Sequence, residues 1–199
     1  MKIIKSKEIN YRVDFPLLCN ARGVRVAVEV GTDRGVFARQ FMERFKGDEL
    51  VCIDPYCQYE ELPACRDIDR MMAVMALMPW HGRVRFYQTT STDAAANFPW
   101  WLKDRIDFVY VDAEHTFDEA YSDIATWWEL LTPQGILAGH DYDITHSGVM
   151  KAVDQFAKEN DLVVRIVAGD SPESWYIYKN EPPSLYKYFF DGGEIANED

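Results

Sequence analysis

Apolar positions along the chain follow two different periods. Seven short runs stand out: Val24–Val30 (VRVAVEV), Leu50–Ile53 (LVCI), Val84–Tyr87 (VRFY), Ile106–Val111 (IDFVYV), Gly135–Ala138 (GILA), Leu162–Val167 (LVVRIV) and Trp175–Tyr178 (WYIY). Short length and enrichment in β-branched and aromatic residues mark such runs as strands. Between them, apolar residues recur at three- and four-residue spacing. Phe117, Ala120, Tyr121, Ile124, Trp127, Trp128 and Leu131 trace one helix face; Val36, Phe37, Gln40, Phe41, Arg44 and Phe45 lie on a second helix, and Val149, Val153, Phe156 and Ala157 on a third. A β-α-β-α alternation builds a parallel sheet covered by helices on both faces.

The last two runs are separated only by AGDSPES, which leaves no room for a helix, so they are expected to pair as an antiparallel hairpin. The expected architecture is an α/β three-layer sandwich around a seven-stranded, mostly parallel sheet with one antiparallel strand. The whole chain, 1–199, is expected to be a single domain. Its core spans about 24–179, with a helical lead-in over 6–20 and an aromatic tail over 180–199. The tail opens on Glu181-Pro182-Pro183 and carries Tyr186, Tyr188, Phe189 and Phe190, either packed on its own domain or forming a homo-oligomer contact.

Composition narrows the function. With 33 acidic against 21 basic residues the net charge is −12, which repels phosphate backbones and anionic lipid surfaces, so neither nucleic acid nor membrane is an expected partner. At 48% hydrophobic and 27% charged the chain is too apolar to be disordered. No apolar run approaches the ~20 residues of a membrane span, and Met1–Glu8 contains no apolar signal-peptide core. Cys19, Cys52, Cys57 and Cys65 form no C-x-x-C pair and no zinc-ligand set, so they read as reduced thiols of a cytoplasmic protein.

Candidate chemistry lies at the strand ends. The first run closes in Glu29-Val30-Gly31-Thr32-Asp33-Arg34-Gly35 and a helix follows. Glycines there permit a tight turn and close approach of a ligand to the backbone. The dinucleotide pattern G-x-G-x-x-G is broken by Asp33, whose charge would oppose a pyrophosphate but favour a ligand with a positive centre; a plain tight turn is the simpler alternative. The second run ends at Asp54, placed to accept ribose hydroxyls, with Pro55 and Tyr56 offering flat faces to an adenine; a turn-forming Asp before proline is the alternative. Val111-Asp112-Ala113-Glu114-His115 and Gly139-His140-Asp141-Tyr142-Asp143 end two further strands that open onto the same edge. Asp112 and Asp141 could hold a hard divalent cation with His115 or His140 as ligand or base, or Asp112 and His115 could simply cap the helix near Phe117.

These residues carry a resemblance. The stretches VAVEVGTDRGVFARQF (26–41), LVCIDPY (50–56), VRFYQTTSTDAAANFP (84–99), DFVYVDAEHTFDEAYSDIATWWELLTPQGILAGHDYD (107–143) and GVMKAVDQF (148–156) resemble class I S-adenosylmethionine-dependent methyltransferases, specifically the small bacterial branch called methyltransferase family 24. The resemblance implies a Rossmann-like sandwich. It places Glu29, Gly31 and Gly35 on the cofactor loop, Asp54 on the ribose-binding acid and Ser91 near the adenine, and Thr32 and Pro55, next to these, are further cofactor-binding candidates. It places Asp112 and Asp141 on acids that ligate magnesium in metal-dependent relatives, with His140 beside them. Two departures stand out: Thr89 where the family usually has glycine after the third strand, and His140-Asp141 where metal-dependent relatives often have two adjacent acids.

The function so implied is O-methylation of a small hydroxylated metabolite or sugar-containing substrate, with a divalent cation or with Asp112, His115 and His140 as the catalytic groups. The rival readings are an NAD-dependent oxidoreductase on the same sheet type and a non-catalytic nucleotide-binding domain. The connection 57–82, rich in methionine (Met71, Met72, Met75, Met78), reads as a helix packing its core face, or as a flexible pocket lid.

Overall fold

The computed structural model describes residues 1–57, 66–99 and 104–182. The strands are β1 (Lys2–Lys5), β2 (Val26–Val30), β3 (Glu49–Ile53), β4 (Val84–Tyr87), β5 (Ile106–Val111), β6 (Leu131–Gly139), β7 (Val163–Val167) and β8 (Ser174–Tyr178). The helices are α1 (Phe15–Ala21), α2 (Val36–Met42), α3 (Asp67–Leu77), α4 (Ser91–Ala96), α5 (Phe117–Leu130) and α6 (Ser147–Glu159). One sheet runs in the order β1-β7-β8-β6-β5-β2-β3-β4. Only β8 runs against its neighbours, pairing antiparallel with both β6 and β7. The expected Rossmann-like sandwich and its single antiparallel strand are therefore present.

The sheet has eight strands rather than seven. The extra strand, β1, pairs parallel with β7 at one sheet edge. Its two isoleucines stand between lysines, and Ile3 is 44% exposed, so it lacks the apolar run by which a strand is recognised. The lead-in is also less helical than expected over 6–20. A 3-10 turn covers Arg12–Asp14 and a full helix starts only at Phe15, with Pro16 in its first turn, where a missing N–H costs nothing.

Two apolar layers hold the sheet. On one face Trp127, Trp128, Ile124 and Phe156 of α5 and α6 pack on Val28, Val109 and Leu137. On the other, Phe15, Phe37 and Phe41 of α1 and α2 meet Phe108 and Tyr110, with Phe37 stacked on Tyr110 at 3.9 Å between ring centroids. Each such side chain contributes about 1.5–3 kcal/mol when buried.

α3 departs from its expected role. Met71, Met72, Met75 and Met78 are between 47% and 70% exposed, and Ala73 and Leu77 supply the buried face instead. The methionines are therefore not core filler. Among the described residues no helix is long and apolar enough to cross a membrane. Cys19, Cys52 and Cys57 are free thiols; Cys65 and the aromatic cluster from Tyr186 to Phe190 lie outside the described residues.

Candidate functional site

The carboxyl ends of β2, β3, β5 and β6 lie side by side, because the ladder continues one residue past each strand. Asp112 N–H donates to Val30 O (2.8 Å), His140 N–H to Val111 O (3.1 Å), and Gly31 N–H to Ile53 O (2.9 Å). Gly31 and Gly35 both adopt positive φ, 89° and 72°. A Cβ at Gly31 would sit 1.9 Å from the carbonyl oxygen of Asp112, so the first loop presses directly on the end of β5. Beneath this loop Glu29 and Thr32 are 2% and 3% exposed. Glu29 Oε2 and Thr32 Oγ1 have no hydrogen-bond partner among the described residues. Burial pushes the Glu29 carboxyl well above its ordinary range.

Asp54 is 3% exposed, with both oxygens engaged: Oδ2 accepts from Asp33 N–H (2.8 Å) and Oδ1 from Tyr56 N–H (2.8 Å). Arg66 stands over it, Nη1 3.6 Å from Asp54 Oδ1, and also binds Asp33 and Asp69. The expected aromatic face of Tyr56 is not offered. Tyr56 has φ 47°, is 5% exposed, and its hydroxyl donates back to Asp33 O at 3.0 Å. Pro55 beside it stays partly exposed. Ser91 opens α4 and accepts from Trp127 Nε1 at 2.9 Å. Near it is Asp123, a 6%-exposed carboxyl that burial pushes up to about 6.

Neither Asp112 nor His115 caps α5. That role belongs to Thr116, whose Oγ1 accepts from Glu119 N–H. Both side chains instead face Asp141. His140 Nδ1 lies 3.0 Å from Asp141 Oδ1 and 3.9 Å from Asp112 Oδ1. His115 Nε2 lies 2.9 Å from Asp141 Oδ2. Asp141 reaches between them because it sits at φ 59°, a left-handed conformation that Asp tolerates better than most residues. Trp175 Nε1 donates to His140 O (3.1 Å) and holds the strand end.

Electrostatics follow from this geometry. Burial opposes the Asp141 charge, but hydrogen bonds from His115 and His140 outweigh it and hold the carboxyl well below its usual range. The hydrogen bond to Asp141 raises His115. For His140, burial works against protonation, yet Asp141 and Asp112 win and raise it. Enclosure raises Asp112, against the pull of His140.

Two contributors escaped sequence reasoning. His146 comes back to the site because Asp143 Oδ1 accepts from its backbone N–H (2.8 Å); its Nδ1 lies 3.7 Å from Asp141 Oδ1. Asp143 is thereby a turn former rather than a site acid. Arg66 crosses over Asp54 from the start of α3. Only the D-x-x-H spacing of Asp143 and His146 was legible as a turn signal. Two sets of donors lie within 4.8 Å of one another: Asp112, His140 and Asp141, and His115, Asp141 and His146.

Comparison with known proteins gives a family and a fold. A family model described as a methyltransferase domain, of the family 24 type, matches residues 28–142. No curated protein matches the chain by sequence. Among solved structures, the O-methyltransferase TomG of tomaymycin synthesis from Streptomyces achromogenes, in complex with SAM, is similar at 16% identity and TM-score 0.64, covering 85% of this chain and 79% of its own. An O-methyltransferase from Bacillus cereus in complex with SAH is similar at 15% identity and TM-score 0.60, covering 84% and 78%. A methyltransferase from Geobacter sulfurreducens is similar at 15% identity and TM-score 0.64, covering 90% and 81%.

Proposed function

The chain belongs to the methyltransferase-domain family, and on that premise we propose that it transfers the methyl group of S-adenosylmethionine to a hydroxyl of a small molecule. One observation carries this reading. The Gly31–Gly35 turn, with the unpartnered Glu29 Oε2 and Thr32 Oγ1 beneath it, presses against Asp112, which stands 3.9 Å from His140. A cofactor cradle thus adjoins a proton acceptor. The O-methyltransferases among the similar structures support the same chemistry.

The residues fit the cofactor. The Gly31 backbone leaves no space for a side chain and the orphaned polar atoms await a partner. In this reading Gly31, Thr32 and Gly35 line the loop. Asp54 with Pro55 serves the ribose side, Ser91 the adenine side, and Asp112 the reactive end.

The same residues fit magnesium poorly: it takes oxygen donors and fills its remaining places with water, whereas each donor set here includes at least one imidazole. One donor set offers two carboxylates and an imidazole, the other a carboxylate and two imidazoles. Such sets suit a borderline ion better. Both Asp141 oxygens are also engaged by histidines. Asp112 and Asp141 would hold such an ion, which would polarise the acceptor oxygen, and the proton would still pass to a side chain.

A bound sulfonium supplies an electrophilic methyl carbon. The acceptor hydroxyl must lose its proton as its oxygen attacks, and His140 is placed to take it. Its Nδ1 faces Asp141, which fixes the ring and leaves Nε2 as the basic nitrogen. Its side chain is 13% exposed, against 48% for His115, so it stands deeper in the corner. Asp141 is the positioning residue for both rings. Holding the reactants in line can account for up to ~7–11 kcal/mol of the barrier.

The test is calorimetric titration of the full chain with S-adenosylhomocysteine and with NAD, followed by transfer of labelled methyl from S-adenosylmethionine to a panel of hydroxylated metabolites. Binding of the first ligand alone, with label in an ether product, is the expected result. Binding of NAD alone would replace this reading with an oxidoreductase.

A further inference from the structure

Asp141 serves two groups of donors. With Asp112 and His140 it closes the corner described above. With His115 and His146 it forms a second trio, which leaves Asp112 out and in which every residue places a ligand atom within 4.8 Å of the other two. His115 Nε2 lies 2.9 Å from Asp141 Oδ2, and His146 Nδ1 lies 3.7 Å from Asp141 Oδ1. The two imidazoles stand with their ring centroids 4.9 Å apart. Ligand atoms around a tetrahedral zinc, bound at about 2.0–2.1 Å, are roughly 3.3 Å from one another. The observed separations straddle that requirement. Asp141 already meets His140 Nδ1 at 3.0 Å, so two more imidazoles exceed what one negative charge calls for.

Three separate segments are held to this arrangement. His115 rides on the turn between β5 and α5, Asp141 follows β6, and His146 is the residue before α6. The start of α6 closes directly on the His115 turn: a Cβ at Gly148 would sit 2.2 Å from His115 O and 2.8 Å from Phe117 N, an approach that only glycine permits. Asp141 brings its carboxylate between the rings from a left-handed backbone, at φ 59°. Asp143 fixes His146, because its Oδ1 accepts from the backbone N–H at 2.8 Å and lies 3.0 Å from the ring Nδ1. A carboxylate behind an imidazole orients the ring at metal centres and raises its basicity. The side chains of His115 and His146 are 48% and 29% exposed, so the trio opens to solvent on one side and leaves a further position to water.

We infer that His115, Asp141 and His146 form a binding site for a borderline first-row divalent cation, zinc foremost, with ligands different from the acid pair Asp112 and Asp141. Two imidazoles select such an ion over magnesium and calcium, which take oxygen. Asp141 is common to both donor groups, so an ion on the trio excludes one on the acid pair. The inference goes beyond the methyltransferase reading and does not depend on it.

The experiment compares wild type, His115→Asn, His146→Asn and Asp112→Asn as full chains, stripped with chelator and dialysed. Each is titrated calorimetrically with zinc and with magnesium, and cobalt(II) serves as an optical probe of coordination. Wild type is expected to bind one zinc per chain at least about 100-fold tighter than magnesium. His115→Asn and His146→Asn should each weaken zinc by about tenfold or more, and Asp112→Asn by less than about threefold. Cobalt should give wild type the intense visible bands of a four-coordinate ion, lost in His146→Asn. Both rings are partly exposed, so the variants are expected to fold, which urea midpoints in chelator check. Should a variant unfold, the wild-type cobalt spectrum decides, and the weak bands of an octahedral ion would overturn the site. Absence of zinc binding, zinc binding unchanged in both histidine variants, or a loss that follows Asp112→Asn alone would overturn it as well. No nucleoside enters these titrations, so their failure leaves the methyltransferase reading to its own test with S-adenosylhomocysteine.

Discussion

Arg66 holds its Nη1 3.6 Å from Asp54 Oδ1, with less than a tenth of either side chain exposed. The same guanidinium meets Asp33 and Asp69, so one cation faces three carboxylates at the mouth of the cofactor loop, with Arg34 sharing Asp69. Removing one partner of a buried ionic cluster leaves the others uncompensated, at a cost of about 3–5 kcal/mol. Asp33 is more than half exposed, which discounts its share. Arg66→Ala is therefore expected to lower unfolding stability by about 2–4 kcal/mol, read as a shift of the urea midpoint at unchanged slope. A midpoint within experimental scatter of wild type would show that water compensates the three acids.

Gly31 supports a sharper expectation. Gly31→Ala puts a methyl group 1.9 Å from the Asp112 carbonyl oxygen, at a φ of 89° that alanine avoids. Backbone strain of this kind costs of order 1–3 kcal/mol, and here it acts on the loop that would hold the cofactor. The variant should stay folded by circular dichroism and lose measurable S-adenosylhomocysteine binding. Retained affinity would mean that the cradle lies elsewhere along the sheet edge.

The histidines separate by kinetics. His140→Asn removes the group placed to accept the hydroxyl proton and should lower kcat by ~10²–10⁴-fold with S-adenosylhomocysteine affinity almost unchanged. His115→Asn removes a more exposed ring on the far oxygen of Asp141 and should cost less than ~10-fold. The reverse order would assign the proton to His115. Asp141→Asn should lower kcat in both settings, because Asp141 orients both rings.

Much of this site was legible in the sequence because strand, turn and helix are local patterns. Gly31, Asp54, Asp112, His140 and Asp141 each follow a short apolar run, and a parallel sheet brings such ends to one edge. What escaped depends on distance or on backbone hand. His146 reaches the site through a turn that no periodicity announces. Tyr56 turns inward because its φ is positive, and a sequence carries no mark of that at tyrosine. The methionines of α3 share the spacing of a core stripe, but the sheet is already covered beneath Ala73 and Leu77. β1 escapes recognition because an edge strand stands half open to water and needs few apolar residues.

Asp123 gives the pH dependence. It is 6% exposed, close to Ser91, with Glu119 and Glu114 adding negative charge nearby. Burial is the main cause of its rise to about 6, against roughly 3.9 in an unfolded chain. Between those two values the folded state holds a proton that the unfolded state has released. Stability from this group is thus complete below about pH 4 and falls as pH rises through about 6, by on the order of 2–3 kcal/mol. Asp123→Asn removes that ionisation and keeps an acceptor beside Ser91. The variant should match wild type near pH 4 and be more stable at pH 7.5 by about 1–3 kcal/mol, followed as urea midpoints across the range. Parallel stability curves for the two proteins would show that Asp123 titrates as an ordinary carboxylate and that its burial is relieved by water.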